Sequence, residues 1–466
     1  MSFLKQYQSM IYLIIAVSIV NWLILTVLPF QKLSGDELDY IASAHQNLSF
    51  SQKALQLIPG NMPYSWWPPF PSSLYALFAS DPDLIRAYHR DESTPDHPAR
   101  LISTKVMLVQ AEQNNIIVPH PAQNPAIGRF VMKIAVMNLI MYVVVGVNIF
   151  WIGLLLKCGK PASLTAAGIV WLNPNLVYYI NALWPETLHL LLLSTAVLCL
   201  LLFDARAKMT CLAVSGFIFG FCALTKGVVG FFLICLIPLW IIRMQGSPME
   251  RFRRNHILRL FKLLAVFYGS SLLIVLPQMI TNRVRYDSFS LASNTWINIE
   301  CGIIPSEEAN GNFYERYFQA STDSTRRESL AKERVKEYLR RQSVDTIVVR
   351  QFNQFFSQQL NDSFLDRSVE AGRWGDHLSG DSWVKWLTRF TTFSSWAVFF
   401  LGLSGLAVSG FRSFGRAVVS IYLLYYLGSL LVVGFNPRFF IQAIPFLSLY
   451  SAAALTRWKE VSENSA

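Results

Sequence analysis

Apolar runs long enough to cross a lipid bilayer recur from one end of the sequence to the other. A membrane-spanning helix needs roughly 17–25 predominantly apolar residues, because its backbone polar groups must be hydrogen-bonded within the helix. Two of the runs are short and flank the turn at Thr225-Lys226-Gly227, and one is interrupted by Asn173-Pro174-Asn175. The pattern predicts an all-α polytopic membrane protein of about ten transmembrane helices, at residues 11–30, 134–156, 163–183, 187–203, 210–224, 228–242, 263–280, 392–411, 418–434 and 439–456.

The composition excludes other classes of protein. Hydrophobic residues make up 53% of the chain and charged residues only 15%, well below the ~25% of soluble domains. The same balance excludes intrinsic disorder. The formal net charge of +11 does not indicate a nucleic-acid partner, because the segments threaded to the cytoplasmic side carry a basic excess equal to the whole net charge. This is the positive-inside distribution of a membrane protein with a cytoplasmic N-terminus.

Threading the runs across the membrane leaves two long segments on the extracytoplasmic side. Charged and apolar groups alternate at helical spacing over 325–360, which predicts amphipathic helices in the second of them. The chain is thereby divided into a first transmembrane helix (1–30), a first extracytoplasmic loop with an acidic motif (31–129), a transmembrane core (130–280), a second extracytoplasmic loop (281–390), and C-terminal transmembrane helices with a short cytoplasmic tail (391–466).

Two acidic positions lie at the extracytoplasmic ends of apolar runs. Asp36 and Glu37 follow the first run closely, at a depth where a carboxylate can accept a proton from a hydroxyl acceptor. Glu186 is the one acidic residue outside the long loops and the cytoplasmic segments. An acid at the mouth of a span is costly unless it has a role or a partner. At both places the alternative is a helix N-terminus, where carboxylates stabilise the first turn.

Two basic residues break the positive-inside pattern. Lys226 and Arg438 both fall in tight extracytoplasmic turns. The runs beside Lys226 would span only about 23 Å, less than the ~30 Å hydrocarbon core, so Lys226 is expected below the headgroup level. A pair of cations at that depth could hold the phosphate of a lipid carrier. The alternative is that both side chains snorkel to lipid headgroups.

Residues 61–71 combine four prolines with four aromatic residues, which excludes a regular helix through the segment. The segment therefore predicts a rigid aromatic surface at the membrane interface, formed by Tyr64, Trp66 and Trp67. Such a surface either belongs to the aromatic belt of the membrane or forms a wall against which a sugar or an acceptor stacks.

Motifs spread over nearly the whole chain match, in order, those of a known enzyme class. The chain resembles the GT-C class of membrane glycosyltransferases, in the branch that holds the protein O-mannosyltransferases and the lipid A aminoarabinose transferase. The matching stretches are Gly35-Asp36-Glu37, Trp67-Pro68-Pro69-Phe70, Asn173-Pro174, Trp184-Pro185-Glu186-Thr187-Leu188, Gly216 to Gly227, Asn282-Arg283 with Tyr286, Ser293 to Gly302, and Asn436-Pro437-Arg438-Phe439.

The resemblance implies an inverting transfer of a sugar from a polyprenyl-phosphate donor at the extracytoplasmic membrane face. It implies that Asp36 is the catalytic base with Glu37 beside it, that Glu186 is a second acidic position, and that Lys226 stands where many relatives have Arg. The acceptor would be a glycan, a glycolipid or a protein. No cofactor is assigned, although some relatives bind a divalent cation at the first-loop acid. The short tail after the last run predicts an enzyme other than the oligosaccharyltransferase type.

Two other functions stay open at this point. An O-antigen polymerase or ligase also carries large periplasmic loops, and it would use undecaprenyl-diphosphate glycans. A transporter or flippase would use Glu186 as an ion-coupling acid, but such proteins often show internal repeats and several mid-membrane charges. The expected location is the bacterial inner membrane with the site facing the periplasm, and the alternative is the endoplasmic reticulum membrane.

Overall fold

The computed structural model describes most of the predicted transmembrane residues and part of each long loop. Within these residues the fold is all-helical, with no β-strand. This confirms the predicted all-α class. The described ranges are 2–27, 50–59, 61–62, 69–78, 125–180, 182–243, 254–286, 289–291, 295–305, 324–360, 382–409, 413–432 and 440–464.

The helices of the N-terminal part include the first helix, short helices of the first loop and the membrane helices that follow it. They are α1 (Ser2–Val27), α2 (Phe50–Leu55), α3 (Pro69–Ala76), α4 (Pro125–Leu155), α5 (Lys160–Leu172), α6 (Pro174–Tyr178), α7 (Glu186–Arg206), α8 (Met209–Thr225), α9 (Val228–Cys235) and α10 (Ile237–Arg243).

The C-terminal part contains the helices of the second loop between long membrane helices. They are α11 (Arg254–Tyr286), α12 (Thr295–Ile303), α13 (Ser324–Arg341), α14 (Val344–Gln354), a π-helical segment (Phe355–Leu360), α15 (Ser382–Ser409), α16 (Phe414–Leu430) and α17 (Ile444–Asn464).

Each predicted run lies on one or two of these helices, but they differ in length. Among the described residues, four helices are long and apolar enough to cross a membrane: Gly128–Leu155, Glu186–Arg206, Ile257–Val284 and Lys385–Val408. The chain is therefore an integral membrane protein, and the count of ten crossings stays a prediction. The interrupted run divides into α5 and α6 because Asn173 caps α6, its Oδ1 accepting from the Asn175 N–H at 3.0 Å.

Glycines let pairs of membrane helices approach closely. A Cβ placed on Gly216 of α8 would lie 2.1 Å from the Phe267 carbonyl oxygen of α11, and one on Gly220 would lie 2.8 Å from the Ser271 carbonyl oxygen. Helices in lipid associate through such van der Waals contact between small residues, because lipid tails are as apolar as the side chains. The α8–α11 pair is therefore held by backbone proximity that no other residue permits.

Buried amides join helices that are distant in sequence. Asn148 of α4 donates to the Ser194 and Thr195 hydroxyls of α7 at 3.1 and 2.9 Å. Asn175 donates to the Ser395 hydroxyl of α15 at 2.7 Å. Polar side chains inside a membrane protein are satisfied by neighbouring helices, since no water is present to do so. These bonds join α4 to α7 and α6 to α15.

The helices α12, α13 and α14 form a small cluster in the second loop. Its apolar centre contains Ile303, Val335 and Tyr338. Within it the carboxylate of Glu300 is fully buried and lies 3.2 Å from the Arg334 guanidinium. Burial raises the pKa of Glu300 to about 7, and the charge of Arg334 opposes part of that rise.

Candidate functional site

A buried ion pair joins two of the predicted site residues. Nζ of Lys226 lies 2.9 Å from Oε1 of Glu186 and donates a hydrogen bond to it. The Glu186 side chain is 0% exposed and that of Lys226 is 13% exposed. A carboxylate and an ammonium withdrawn from water interact far more strongly than a surface pair, because solvent screens them less. The pair is therefore a fixed charged centre within the bundle.

The hairpin of α7 and α8 explains why these two residues meet. Glu186 is the first residue of α7, and Lys226 follows the last residue of α8. The helices are joined by a two-residue turn in which Ala207 adopts a left-handed conformation with φ of 55°. They pack along their length, and the Ser215 hydroxyl donates to the Ala196 carbonyl at 2.8 Å. The start of the first helix and the end of the second consequently lie at the same end of the bundle.

Through α3 the first loop contacts α8 and the residue Trp184 that lies just before α7. The Tyr75 hydroxyl donates to the Trp184 carbonyl at 2.9 Å, two residues before Glu186. The ring of Phe70 lies 4.8 Å from that of Phe221 near the end of α8. Tyr75 is fully buried. The helix α3, which begins at Pro69, is thereby packed near the Glu186 end of the hairpin, although no local sequence signal predicts the contact.

Both long loops also meet at the end of α11. Gln278 donates from Nε2 to the Met62 carbonyl at 3.0 Å and to Oδ1 of Asn282 at 2.9 Å. Asn282 in turn donates to the Ser290 carbonyl at 2.7 Å. The Met62 side chain packs on Leu224, two residues before Lys226. Buried amides thus tie residues of the first and second loops to the membrane helices beside the ion pair.

His189 lies one helical turn below Glu186 on the same face of α7. Its side chain is 0% exposed, and neither ring nitrogen has a hydrogen-bond partner among the described residues. His189 is therefore a buried imidazole one helical turn from Glu186, and the sequence analysis did not assign it to the site.

Two of the predicted site residues are thus brought together, and the others cannot be placed. Glu186 begins a helix, as its alternative interpretation predicts, and it also has the charged partner that an acid at this depth requires. The remaining candidates lie outside the described residues and stay predictions: the acids Asp36 and Glu37, the aromatic residues Tyr64, Trp66 and Trp67, and the cation Arg438.

No metal centre can be assigned from the part of the chain that the structure describes. There, no three His, Cys, Asp or Glu residues lie close enough together to hold an ion. Glu186 and His189 supply two such groups, but the nearest charged neighbour of Glu186 is an ammonium, which competes with a cation for the carboxylate. We therefore derive no chemical step through a metal.

Comparison with known proteins gives structural similarity without sequence similarity. No protein-family model and no curated protein sequence matches the chain. Among solved structures, the apo oligosaccharyltransferase of Archaeoglobus fulgidus matches with a TM-score of 0.51 and 13% identity, covering 100% of this chain and 53% of that one. The fold is therefore similar to that of this oligosaccharyltransferase over the whole of this chain and about half of that one. At 13% identity the similarity is one of fold, and it leaves the branch undetermined.

Two further structures of the Archaeoglobus fulgidus enzyme match less well. Its complex with an inhibitory peptide and a dolichol-phosphate has a TM-score of 0.49 and 13% identity over 99% of this chain and 52% of that one. Its complex with zinc and sulfate has a TM-score of 0.48 and 14% identity over 96% and 49%. The chain spans about half the length of each of these proteins.

Proposed function

We propose that this chain is a glycosyltransferase that moves a sugar from a polyprenyl-phosphate donor to a glycan, lipid or protein acceptor. The observation that carries the proposal is the buried Glu186–Lys226 pair, at the place where both long loops contact the membrane helices. The oligosaccharyltransferase-type fold supports it. The reaction would occur at the extracytoplasmic face, in the periplasmic leaflet of a bacterial inner membrane.

The chemistry divides between an acid of the first loop and the cations of the turns. Asp36, with Glu37 beside it, accepts the proton of the acceptor hydroxyl as its oxygen attacks the anomeric carbon. The bond between that carbon and the phosphate oxygen breaks on the opposite side, which inverts the configuration. The electron pair leaves with the lipid phosphate, whose growing negative charge is stabilised by Lys226 and Arg438.

In this scheme Glu186 is a positioning residue. Its carboxylate holds the Lys226 ammonium at 2.9 Å, so the cation has a set position before the donor arrives. Donors that are oriented in advance stabilise a developing charge without reorganising during the reaction. Lys226 keeps 13% of its side chain exposed, whereas the Glu186 side chain is fully buried. The aromatic residues Tyr64, Trp66 and Trp67 would line the sugar or acceptor.

The test is a transfer assay with two classes of donor. Purified protein in liposomes is given radiolabelled polyprenyl-phosphate hexoses or undecaprenyl-diphosphate glycans, with a membrane extract as the source of acceptor. Transfer from the monophosphate donor supports the proposal. Transfer from the diphosphate donor alone would instead indicate the polymerase or ligase function. Movement of the lipid-linked sugar between leaflets without a covalent product would indicate a flippase.

Variants of Lys226 separate its charge from its place in the fold. Lys226→Arg keeps a cation beside Glu186 and is expected to retain part of the transfer activity, whereas Lys226→Gln is expected to lose about 10²–10³-fold, as when one stabilising donor is removed. Lys336→Gln, on the exposed face of α13, is the matched control and should be unaffected. Equal activity of Lys226→Gln and this control would contradict the assignment of Lys226.

A further inference from the structure

The second-loop helix α14 exposes an apolar face. Val348, Val349 and Phe352 are 45%, 60% and 46% exposed and share one side of the helix. The opposite side packs into the three-helix cluster, where Ile347 contacts the apolar centre and Gln351 donates to the Gly302 carbonyl at 2.8 Å. A helix with one side packed on protein is expected to turn polar residues outward in water. On this helix the exposed polar residues Asp345 and Thr346 of the first turn are followed by Val348, Val349 and Phe352, and among the exposed residues from 348 to 353 Asn353 alone is polar.

The neighbouring helix α13 shows what a water-facing side of the same cluster contains. It packs on α12 through Val335 and Tyr338. Its exposed residues between 332 and 341 are charged except for Leu339, and they are Lys332, Glu333, Lys336, Glu337, Arg340 and Arg341. Two sides of one small cluster therefore face two different environments.

Contacts with α15 place the apolar side of α14 near the membrane. Phe356, one turn after Phe352, stacks on Trp396 with 5.8 Å between ring centroids and 15° between ring planes. Phe355 lies 5.7 Å from Phe399. Both partners lie within Lys385–Val408, a segment long and apolar enough to cross the bilayer. The C-terminal end of α14 is thus attached to a spanning helix at membrane depth.

The beginning of α15 continues this apolar surface. Trp386, Phe390 and Phe393 are 65%, 43% and 69% exposed and follow one another at helical spacing. The Trp386 and Phe390 rings stack at 5.4 Å between centroids. Tryptophan and other aromatic residues concentrate where a spanning helix passes through the headgroup region. These residues precede Trp396, the partner of Phe356, by about one to three helical turns on the same helix.

We propose that α14 rests on the membrane, with Val348, Val349 and Phe352 inserted at the boundary between headgroups and acyl chains of the extracytoplasmic leaflet. An amphipathic helix binds such a boundary by burying its apolar side in lipid. The occupant of this face is lipid because the face continues into the lipid-exposed aromatic residues of a spanning helix. The proposal depends on α15 crossing the membrane and is independent of the proposed reaction. Such an insertion would fasten the second loop to the bilayer beside α15.

The test compares spin labels on the two sides of the cluster. Val348→Cys and Lys336→Cys are made in the full chain, labelled with a nitroxide and reconstituted into phosphatidylethanolamine–phosphatidylglycerol liposomes. The signal of the unsubstituted chain, which carries six native cysteines, is subtracted. Collision rates with oxygen, which concentrates in lipid, and with a water-soluble nickel chelate are then measured for both labels.

We expect the label at 348 to collide more often with oxygen than with nickel, and the label at 336 to show the reverse order. Phe352→Cys repeats the measurement on the same face if the first variant folds poorly. Preferential collision with nickel at both 348 and 352 would overturn the proposal, since the face would be in water. Protection of both positions from both reagents would overturn it as well, since another protein segment or a second copy would cover the face.

Discussion

Replacing Lys226 by methionine tests the ion pair directly. Methionine preserves most of the apolar length of lysine while the ammonium is lost. The Glu186 carboxylate, 0% exposed, would then lack its cation in an environment of low polarity. Removing one partner of a buried pair typically costs about 3–5 kcal/mol, because the remaining charge is uncompensated. We expect a loss of that size in the free energy of unfolding.

A double-mutant cycle separates the pair from its surroundings. Glu186→Gln and the combined variant Glu186→Gln/Lys226→Met complete it, and unfolding is followed in mixed micelles by tryptophan fluorescence. The double variant should be more stable than the sum of the single losses predicts, by at least about 2 kcal/mol, because it leaves no lone charge. Lys336→Met, at an exposed site, should change stability by less than about 0.5 kcal/mol. Additivity of the two single losses within about 0.5 kcal/mol would refute the reasoning.

Three further outcomes follow from other parts of the fold. Between pH 4.5 and about 7, Glu300 stays protonated in the folded chain but is ionised in the unfolded chain. The free energy of unfolding should therefore fall by up to about 3 kcal/mol as the pH rises through this range. Glu300→Gln should abolish the difference in the free energy of unfolding between pH 5 and pH 8, measured with denaturant. An unchanged difference would show that other groups cause the pH dependence. Gly216→Ala should destabilise the chain by about 1–3 kcal/mol, since its Cβ would lie 2.1 Å from the Phe267 carbonyl. The matched Gly230→Ala, with no atom within 4 Å of its Cβ, should cost nothing in the same unfolding assay. Tyr75→Phe should cost about 1 kcal/mol through its lost hydrogen bond, and a neutral effect would show that this contact does not hold the first loop.

The positions of the membrane helices could be predicted because a segment that crosses lipid must be apolar and must satisfy its backbone hydrogen bonds as a helix. Each run coincides with helical residues, and Asn173 divides the interrupted one by capping a new helix. Length was harder to predict. Several helices are shorter than a full crossing, because they pack against longer neighbours that carry the apolar surface.

The pairing of Glu186 with Lys226 could have been predicted, yet reasoning from the residues treated them separately. Consecutive runs joined by a two-residue turn form an antiparallel hairpin, so an acid at the start of the first meets a base at the end of the second. The contact of Gln278 with Met62, by contrast, joins residues 216 positions apart. No periodicity or motif encodes such a contact, because it depends on how the long loop returns to the bundle.

The most direct test of the central claim is sugar transfer by the wild type and by Asp36→Asn, side by side. Both proteins receive radiolabelled polyprenyl-phosphate hexose and a membrane extract, and Glu333→Gln on the exposed face of α13 is the control. The account predicts labelled product from the wild type and from the control, and none above background from Asp36→Asn with normal expression. Full activity of Asp36→Asn, or no transfer by folded wild type from any monophosphate donor, would contradict it.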